Sequence, residues 1–343
     1  MAPETQFAGN RAGIFSRVLP GLRSGTTSVG SRDAPADRRE DSGTVTSLAS
    51  DAAQLAARLP ALVVHAERIA ATIAAGQHGR RRAGPGETFW QYRPAQPGEP
   101  VTRIDWRQSA RSHRAYVRET EAEVAQTVYL WCDLSPSMAW SSQERPGLPQ
   151  KRDQAILLLL ALATLLENGG ERVRLLTAEG PATLPSGAGR IAMRLALSLN
   201  TLAEQIPTQT LPSAAMLPRY AKLVIAGDFL GPEDELAWFL RHLTARPVPA
   251  QMLQIVDPAE RDLPYAGRIR FTGTEEGEPA VILPRVEDLR RDYGSIFTER
   301  QRRLRTLADA GGHTLLTHFT DQPPAAAMLA LSSAVTGQPD GRR

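Results

Sequence analysis

The sequence predicts an α/β fold built on a mainly parallel, doubly wound sheet with helices on both faces. Two observations carry that expectation. From about residue 124 onward, short apolar runs alternate with longer helical segments, the rhythm of repeated strand-helix-strand units. The segment KRDQAILLLLALATLLENGG, starting at Lys151, is apolar around much of its circumference. As a helix it has to be buried, and the face of a sheet is the readiest place to bury it.

Taken in order, residues 1–46 mix Gly, Ser, Thr, Arg and Asp without a sustained period and read as a disordered tail. Residues 47–123 hold a helical segment followed by an Arg-rich arm. The alanine-rich run from Leu48 to about Ala75 favours helix by propensity, with Gly76 as a stop, and residues 77–118 then read as extended. The α/β domain spans 124–335. Its strands are expected at 124–133, 171–178, 221–228, 248–257 and 313–319, and its helices at 151–168, 189–205, 233–244, 286–310 and 323–332. RIRFTG and PAVILP around TEEGE read as a hairpin inserted near 266–285, and 336–343 form a C-terminal tail.

The chain of 343 residues, 42% hydrophobic and 6% aromatic, has the composition of a soluble globular protein with one large core. Cys132 is the single cysteine, which rules out a disulfide framework and a multi-cysteine metal site. No run approaches the ~20 apolar residues of a membrane span, and the N-terminus lacks the basic-then-apolar order of a signal peptide. A cytoplasmic location is the expectation. The net charge of +3 is small and is carried by arginine, Lys151 and Lys222 being the only lysines.

The site candidate lies in 129-YLWCDLSPSMAW-140. In open parallel sheets, ligands bind outside the carboxyl ends of strands where the strand order reverses. Asp133 ends the first strand of the domain, and Asp228 in KLVIAGDFLG ends another of similar texture. With the hydroxyls of Ser135 and Ser137 they form an oxygen-only donor set, which suits Mg²⁺ or Mn²⁺. The bland alternative is a turn or helix cap, since Asp and Ser after a strand satisfy free backbone amides.

The run from Gly84 to Met138 contains GETF, RPAQPGEP, Ile104-Asp105-Trp106-Arg107, VRE and DLSPSM. It resembles the signature of the bacterial family called domain of unknown function 58. The resemblance continues through AGDFLG and VDPAERDLPYAGRIRF and covers about residues 50–335. That family resembles the von Willebrand factor A domain, whose metal-ion-dependent adhesion site uses Asp-x-Ser-x-Ser, a threonine and a later aspartate. The resemblance therefore implies a von Willebrand A-like fold and a metal set of Asp133, Ser135, Ser137 and Asp228. Thr210 supplies the threonine, with Thr208 as a competitor. Two departures stand out: Gly231 comes three residues after Asp228 rather than directly after it, and the family's Pro-Gly-Asp-Asp has become RPAQPGEP.

Between His78 and Arg118 nine arginines, interleaved with aromatics, face three acids. Such a composition serves single-stranded nucleic-acid binding, or an arm that packs on its own domain or docks a partner. The resemblance favours the arm, with Arg103, Asp105, Trp106 and Arg107 as docking residues and the Trp106 indole packed. For catalysis the chain shows no Gly-rich phosphate loop with its lysine and no His pair at metal-motif spacing. The leading expectation is a non-enzymatic protein-interaction module. The resemblance implies a MoxR-type AAA+ ATPase as partner and an acidic side chain as ligand. An Arg-mediated nucleic-acid binder and a metal-dependent hydrolase are the alternatives.

Overall fold

A computed structural model describes residues 4–6, 58, 60–74, 89–96, 101, 104–111, 114–120, 126–142, 147–187, 189–205, 209–272 and 280–336. The chain divides into two units, Ala74–Gln126 and a larger one comprising Met1–Ile73 with Thr127–Arg343.

The larger unit is organised by a six-stranded sheet. Its strands are β4 (Thr127–Cys132), β5 (Arg172–Thr177), β6 (Gly180–Pro181), β7 (Lys222–Gly227), β8 (Ala250–Val256) and β11 (Thr314–Phe319). They lie in the order β11-β8-β7-β4-β5-β6. All pairings are parallel except that of β6 with β5, which is antiparallel at the edge. The expected doubly wound, mainly parallel sheet is therefore what the chain builds. The order runs outward in one direction from β4 through β5 and in the other from β7 through β8 to β11, so the reversal falls between β4 and β7.

Alternation along β4 shows how the sheet is covered. Val128, Leu130 and Cys132 point into one apolar cluster, Tyr129 and Trp131 into another. The first cluster receives α1 (residues 60–74), α2 (Lys151–Asn168), α3 (Ile191–Glu204) and α6 (Pro324–Thr336). The second receives α4 (Glu233–Ala245) and α5 (Glu287–Ala310). Helix α2 is buried on nearly every side, from Lys151 to Leu166, as its all-round apolar sequence requires. Helix α1 is amphipathic and buries Val63, Ala66, Ile69 and Ile73 in one stripe. It belongs with the sheet, not with the arm that follows it in sequence.

The expected hairpin is present as β9 (Ile269–Thr272) antiparallel to β10 (Val281–Leu283). With Trp140, Leu263, Tyr265 and Tyr293 it makes a third apolar cluster. β1 (Glu4–Gln6) adds to β9 in parallel, so the expected tail over 1–46 contains one ordered strand. An edge strand offers unpaired N–H and C=O groups that a passing segment can take up. The rest of the expected N-terminal tail, the stop at Gly76 and the C-terminal tail beyond Thr336 lie outside the described residues. Among the described residues no helix is long and apolar enough to cross a membrane.

Residues 77–88 of the expected extended arm lie outside the described residues, and the described part of the smaller unit folds back on itself. β2 (Phe89–Pro94) pairs antiparallel with β3 (Tyr116–Thr120), and a short helix, Trp106–Ser109, lies between them.

Candidate functional site

Asp133 and Asp228 leave the two strands on either side of the order reversal, the place where such sheets bind ligands. The Asp133 amide donates to the Ala226 carbonyl across that boundary, at 2.8 Å. Gly227 makes the approach possible, because a Cβ there would stand 3.0 Å from the Asp133 Cβ.

A chain of hydrogen bonds then joins the two carboxylates. The Ser135 amide donates to Asp133 Oδ1 at 2.9 Å, and the Ser135 and Ser137 hydroxyls lie 3.1 Å apart. Ser137 Oγ donates to Asp228 Oδ2 at 2.8 Å. The four side chains are almost completely buried. The turn reading of Asp-x-Ser is thus realised in part, since Asp133 does cap the Ser135 amide. A turn alone, though, does not require two buried carboxylates joined through Ser135 and Ser137.

Thr210 lines a small cleft together with Asp133, Leu211, Phe229, Gly231 and Glu235, so the structure brings it to the predicted site. Its carbonyl accepts from the Trp131 indole at 3.1 Å, which ties the Thr210 loop to β4. Thr208 lies outside the described residues. Phe229, directly after Asp228, has a left-handed backbone with φ of 51°, the conformation a glycine there would take freely. Arg300 from α5 holds this loop, its guanidinium donating to the carbonyls of Phe229 at 2.6 Å and Gly231 at 3.1 Å.

Two participants were not foreseen. Lys151, the first residue of α2, is fully buried and places its ammonium 3.0 Å from Asp228 Oδ2 and 2.6 Å from Glu260 Oε1. Glu260 sits on the short helix Pro258–Asp262, where its other oxygen takes the Asp257 amide in a capping box. Tyr293 Oη donates to the Glu260 carbonyl at 2.6 Å, anchoring that helix in the third cluster. A signal for Lys151 did exist: in a chain that uses arginine for nearly every cation, a lysine at a helix start marks a place where a planar guanidinium does not serve. Glu260 was legible only as the last residue of the capping-box pattern DPAE.

The buried carboxylates of Asp228 and Glu260 thus share one ammonium, with Asp133 buried beside Asp228, and the proton equilibria reflect the crowding. Burial, and then the charge of Asp228, push the Asp133 carboxyl up to about 7. Burial pushes Glu260 up to about 7 as well, despite the nearby ammonium. For Asp228, burial is outweighed by Lys151 and by hydrogen bonds from Ser137, Lys151 and the Leu230 amide, which hold its carboxyl below the usual range. The two acids bonded to Lys151 therefore shift in opposite directions. We take Asp228 as the carboxylate the ammonium serves, because only Asp228 also receives a hydroxyl and a backbone amide at its carboxyl oxygens. For Lys151 the two carboxylates overcome burial and raise its pKa. Burial also raises the Cys132 thiol, which disfavours its thiolate form.

The donor chemistry is hard: carboxylates and hydroxyls, with no thiolate or imidazole in the cluster. Among the described residues no group of three or more His, Cys, Asp or Glu is placed to hold a metal ion. A cation here would draw on the hydroxyls as well as on Asp133 and Asp228.

In the smaller unit, Asp105 caps the short helix. Its Oδ1 accepts from the Gln108 amide at 3.0 Å and its Oδ2 from Tyr92 Oη at 3.2 Å. Trp106 and Arg107 are exposed, the indole by 62%, so the expected packing of Trp106 is corrected: the apolar packing falls to Val117, which is buried. Arg103 and Arg80 to Arg82 lie outside the described residues.

The model of the family "Protein of unknown function DUF58" matches residues 91–303. The chain belongs to the DUF58 family. This DUF58 chain is 28% identical over 239 residues to an uncharacterized protein of Mycobacterium bovis, an alignment covering 66% of this chain and 73% of that protein. An uncharacterized protein of Mycobacterium tuberculosis shows the same identity and coverage. Among solved structures, an aerotolerance-related membrane protein of Bacteroides fragilis aligns with a TM-score of 0.36 and 14% identity, over 62% of this chain and 100% of that one. The conserved hypothetical protein BatB of Bacteroides thetaiotaomicron aligns with a TM-score of 0.36 and 12% identity, over 62% and 97%.

Proposed function

We propose that this DUF58 chain is a non-enzymatic protein-interaction module with a von Willebrand A-like, metal-ion-dependent adhesion site. Asp133, Ser135, Ser137, Thr210 and Asp228 would hold Mg²⁺ or Mn²⁺, and a carboxylate from a partner would complete the coordination. The observation that carries the reading is the hydrogen-bonded chain through the Ser135 amide and the Ser135 and Ser137 hydroxyls that joins Asp133 to Asp228 across the sheet's switch point, beside a cleft that reaches Asp133 and Thr210. The residues fit a divalent ion on charge as well. Burial makes the ionised forms of Asp133 and Glu260 costly, and a doubly charged cation would relieve that cost. Bound there, the ion supplies Lewis acidity toward an incoming carboxylate. The chain itself supplies the pocket, the orientation and the exclusion of water.

Following the family resemblance, the partner in this reading is a MoxR-type AAA+ ATPase, and the pair acts in assembling or activating other proteins. The test is capture of a purified MoxR-type ATPase by the immobilised chain in Mg²⁺ buffer. Capture should disappear in EDTA and with Asp133→Ala. It should persist when Arg80, Arg81 and Arg82 are changed together to Ser. Capture indifferent to both EDTA and Asp133→Ala refutes the adhesion-site reading. Oligonucleotide binding with a steep salt slope, lost in the triple arginine variant alone, would replace it with nucleic-acid recognition.

A further inference from the structure

We propose that Lys151 is a resident counter-ion of this site, whose buried ammonium competes with a divalent cation for Asp228 and thereby sets the site's metal affinity. The inference deepens the metal reading above and rests on it.

The geometry is specific. Lys151 Nζ lies 3.0 Å from the same Asp228 Oδ2 that accepts the Ser137 hydroxyl. A cation drawing on Asp228 or Ser137 must therefore share that oxygen with an ammonium. Lys151 has no solvent to retreat into, being fully buried, and its backbone is fixed as the first residue of α2. Glu260 governs how strongly the ammonium is held near Asp228. Its Oε1 takes the second bond from Lys151 at 2.6 Å, and its Oε2 is pinned by the Asp257 amide at 2.9 Å.

Two effects follow from one charge. Without a divalent ion, Lys151 partly neutralises the buried carboxylates and keeps the site folded. With one, it repels the ion at short range through a medium that screens poorly, and so weakens binding. An ordinary structural lysine would show the first effect and not the second.

Mn²⁺ titration by calorimetry and melting in EDTA, on wild type, Lys151→Met and Glu260→Gln, separate these roles. Lys151→Met should melt lower in EDTA by about ten degrees, as expected when one partner of a buried pair is lost. It should nevertheless bind Mn²⁺ about tenfold more tightly or better. Glu260→Gln removes a carboxylate and leaves the ammonium to Asp228, so Mn²⁺ should bind about tenfold more weakly. Lys151→Met that binds Mn²⁺ no tighter than wild type overturns the inference. If Lys151→Met does not fold, Glu260→Gln decides: affinity equal to or above wild type overturns it. The metal reading fails on a different result, the absence of Mn²⁺ binding to wild type. If Lys151→Met then gains binding, the counter-ion role is upheld while the wild-type metal reading is not.

Discussion

Replacing Asp133 by Asn removes the carboxylate whose burial is least compensated, while keeping its shape and its ability to accept from the Ser135 amide. In the folded protein that carboxyl is pushed up to about 7 from an ordinary value of 3.8, by burial and by Asp228. Because the folded value is raised, the stability tied to this group is present below about pH 4 and is lost as pH climbs through about 7. Between those limits the folded chain keeps a proton that the unfolded chain has released. At 1.36 kcal/mol per unit, a window of about three units gives a loss on the order of 2–4 kcal/mol. Glu260 titrates in both proteins, so comparing the two removes most of its contribution. Urea unfolding of wild type and Asp133→Asn in EDTA, at pH 4.5, 6.0 and 7.5, measures the difference. Stability relative to the variant should fall for wild type as pH rises, and millimolar Mg²⁺ should flatten the wild-type profile. Parallel profiles in EDTA, within about 0.5 kcal/mol of one another, would refute the assignment of an uncompensated carboxylate to Asp133.

Two further outcomes follow from contacts already described. Gly227→Ala would bring a Cβ to 3.0 Å from the Asp133 Cβ and should cost about 1–3 kcal/mol in urea unfolding while abolishing any Mg²⁺-induced rise in melting temperature. Trp106→Ala, at an indole 62% exposed, should cost less than about 1 kcal/mol in the same assay, and a loss of 3 kcal/mol or more would mean the indole is buried after all.

The sheet and its helices were legible because each is specified locally. Apolar runs of strand length alternate with longer periodic segments, and α2 occupies Lys151–Asn168, the span its composition marks out. Asp133, Ser135, Ser137 and Asp228 were legible for the same reason: each sits at or just past the end of such a run. What could not be read depends on pairing at a distance. Glu4–Gln6 carries no strand signal of its own and becomes a strand only against β9. The arm reads as extended, but nothing in its sequence says that Tyr92 lies opposite Arg118. The contact between Lys151 and Glu260 spans 109 positions and joins a helix start to a capping box, two features that each look complete in isolation.

The polar first turn of α2 has a consequence for the core itself. A helix that is apolar on every side feels almost no torque from hydrophobicity, since any rotation about its axis buries a similar surface. What distinguishes one rotation from another is directional bonding, and α2 has it at its start: Lys151 reaches toward Asp228 and Glu260, while Asp153 takes the Arg58 guanidinium at 2.7 Å. The ion pairs thus act as a key in a keyway, orienting eighteen residues of otherwise indifferent packing. Disturbing the charges at the rim should therefore be felt as a loss of side-chain order deep inside the protein, far from any ligand.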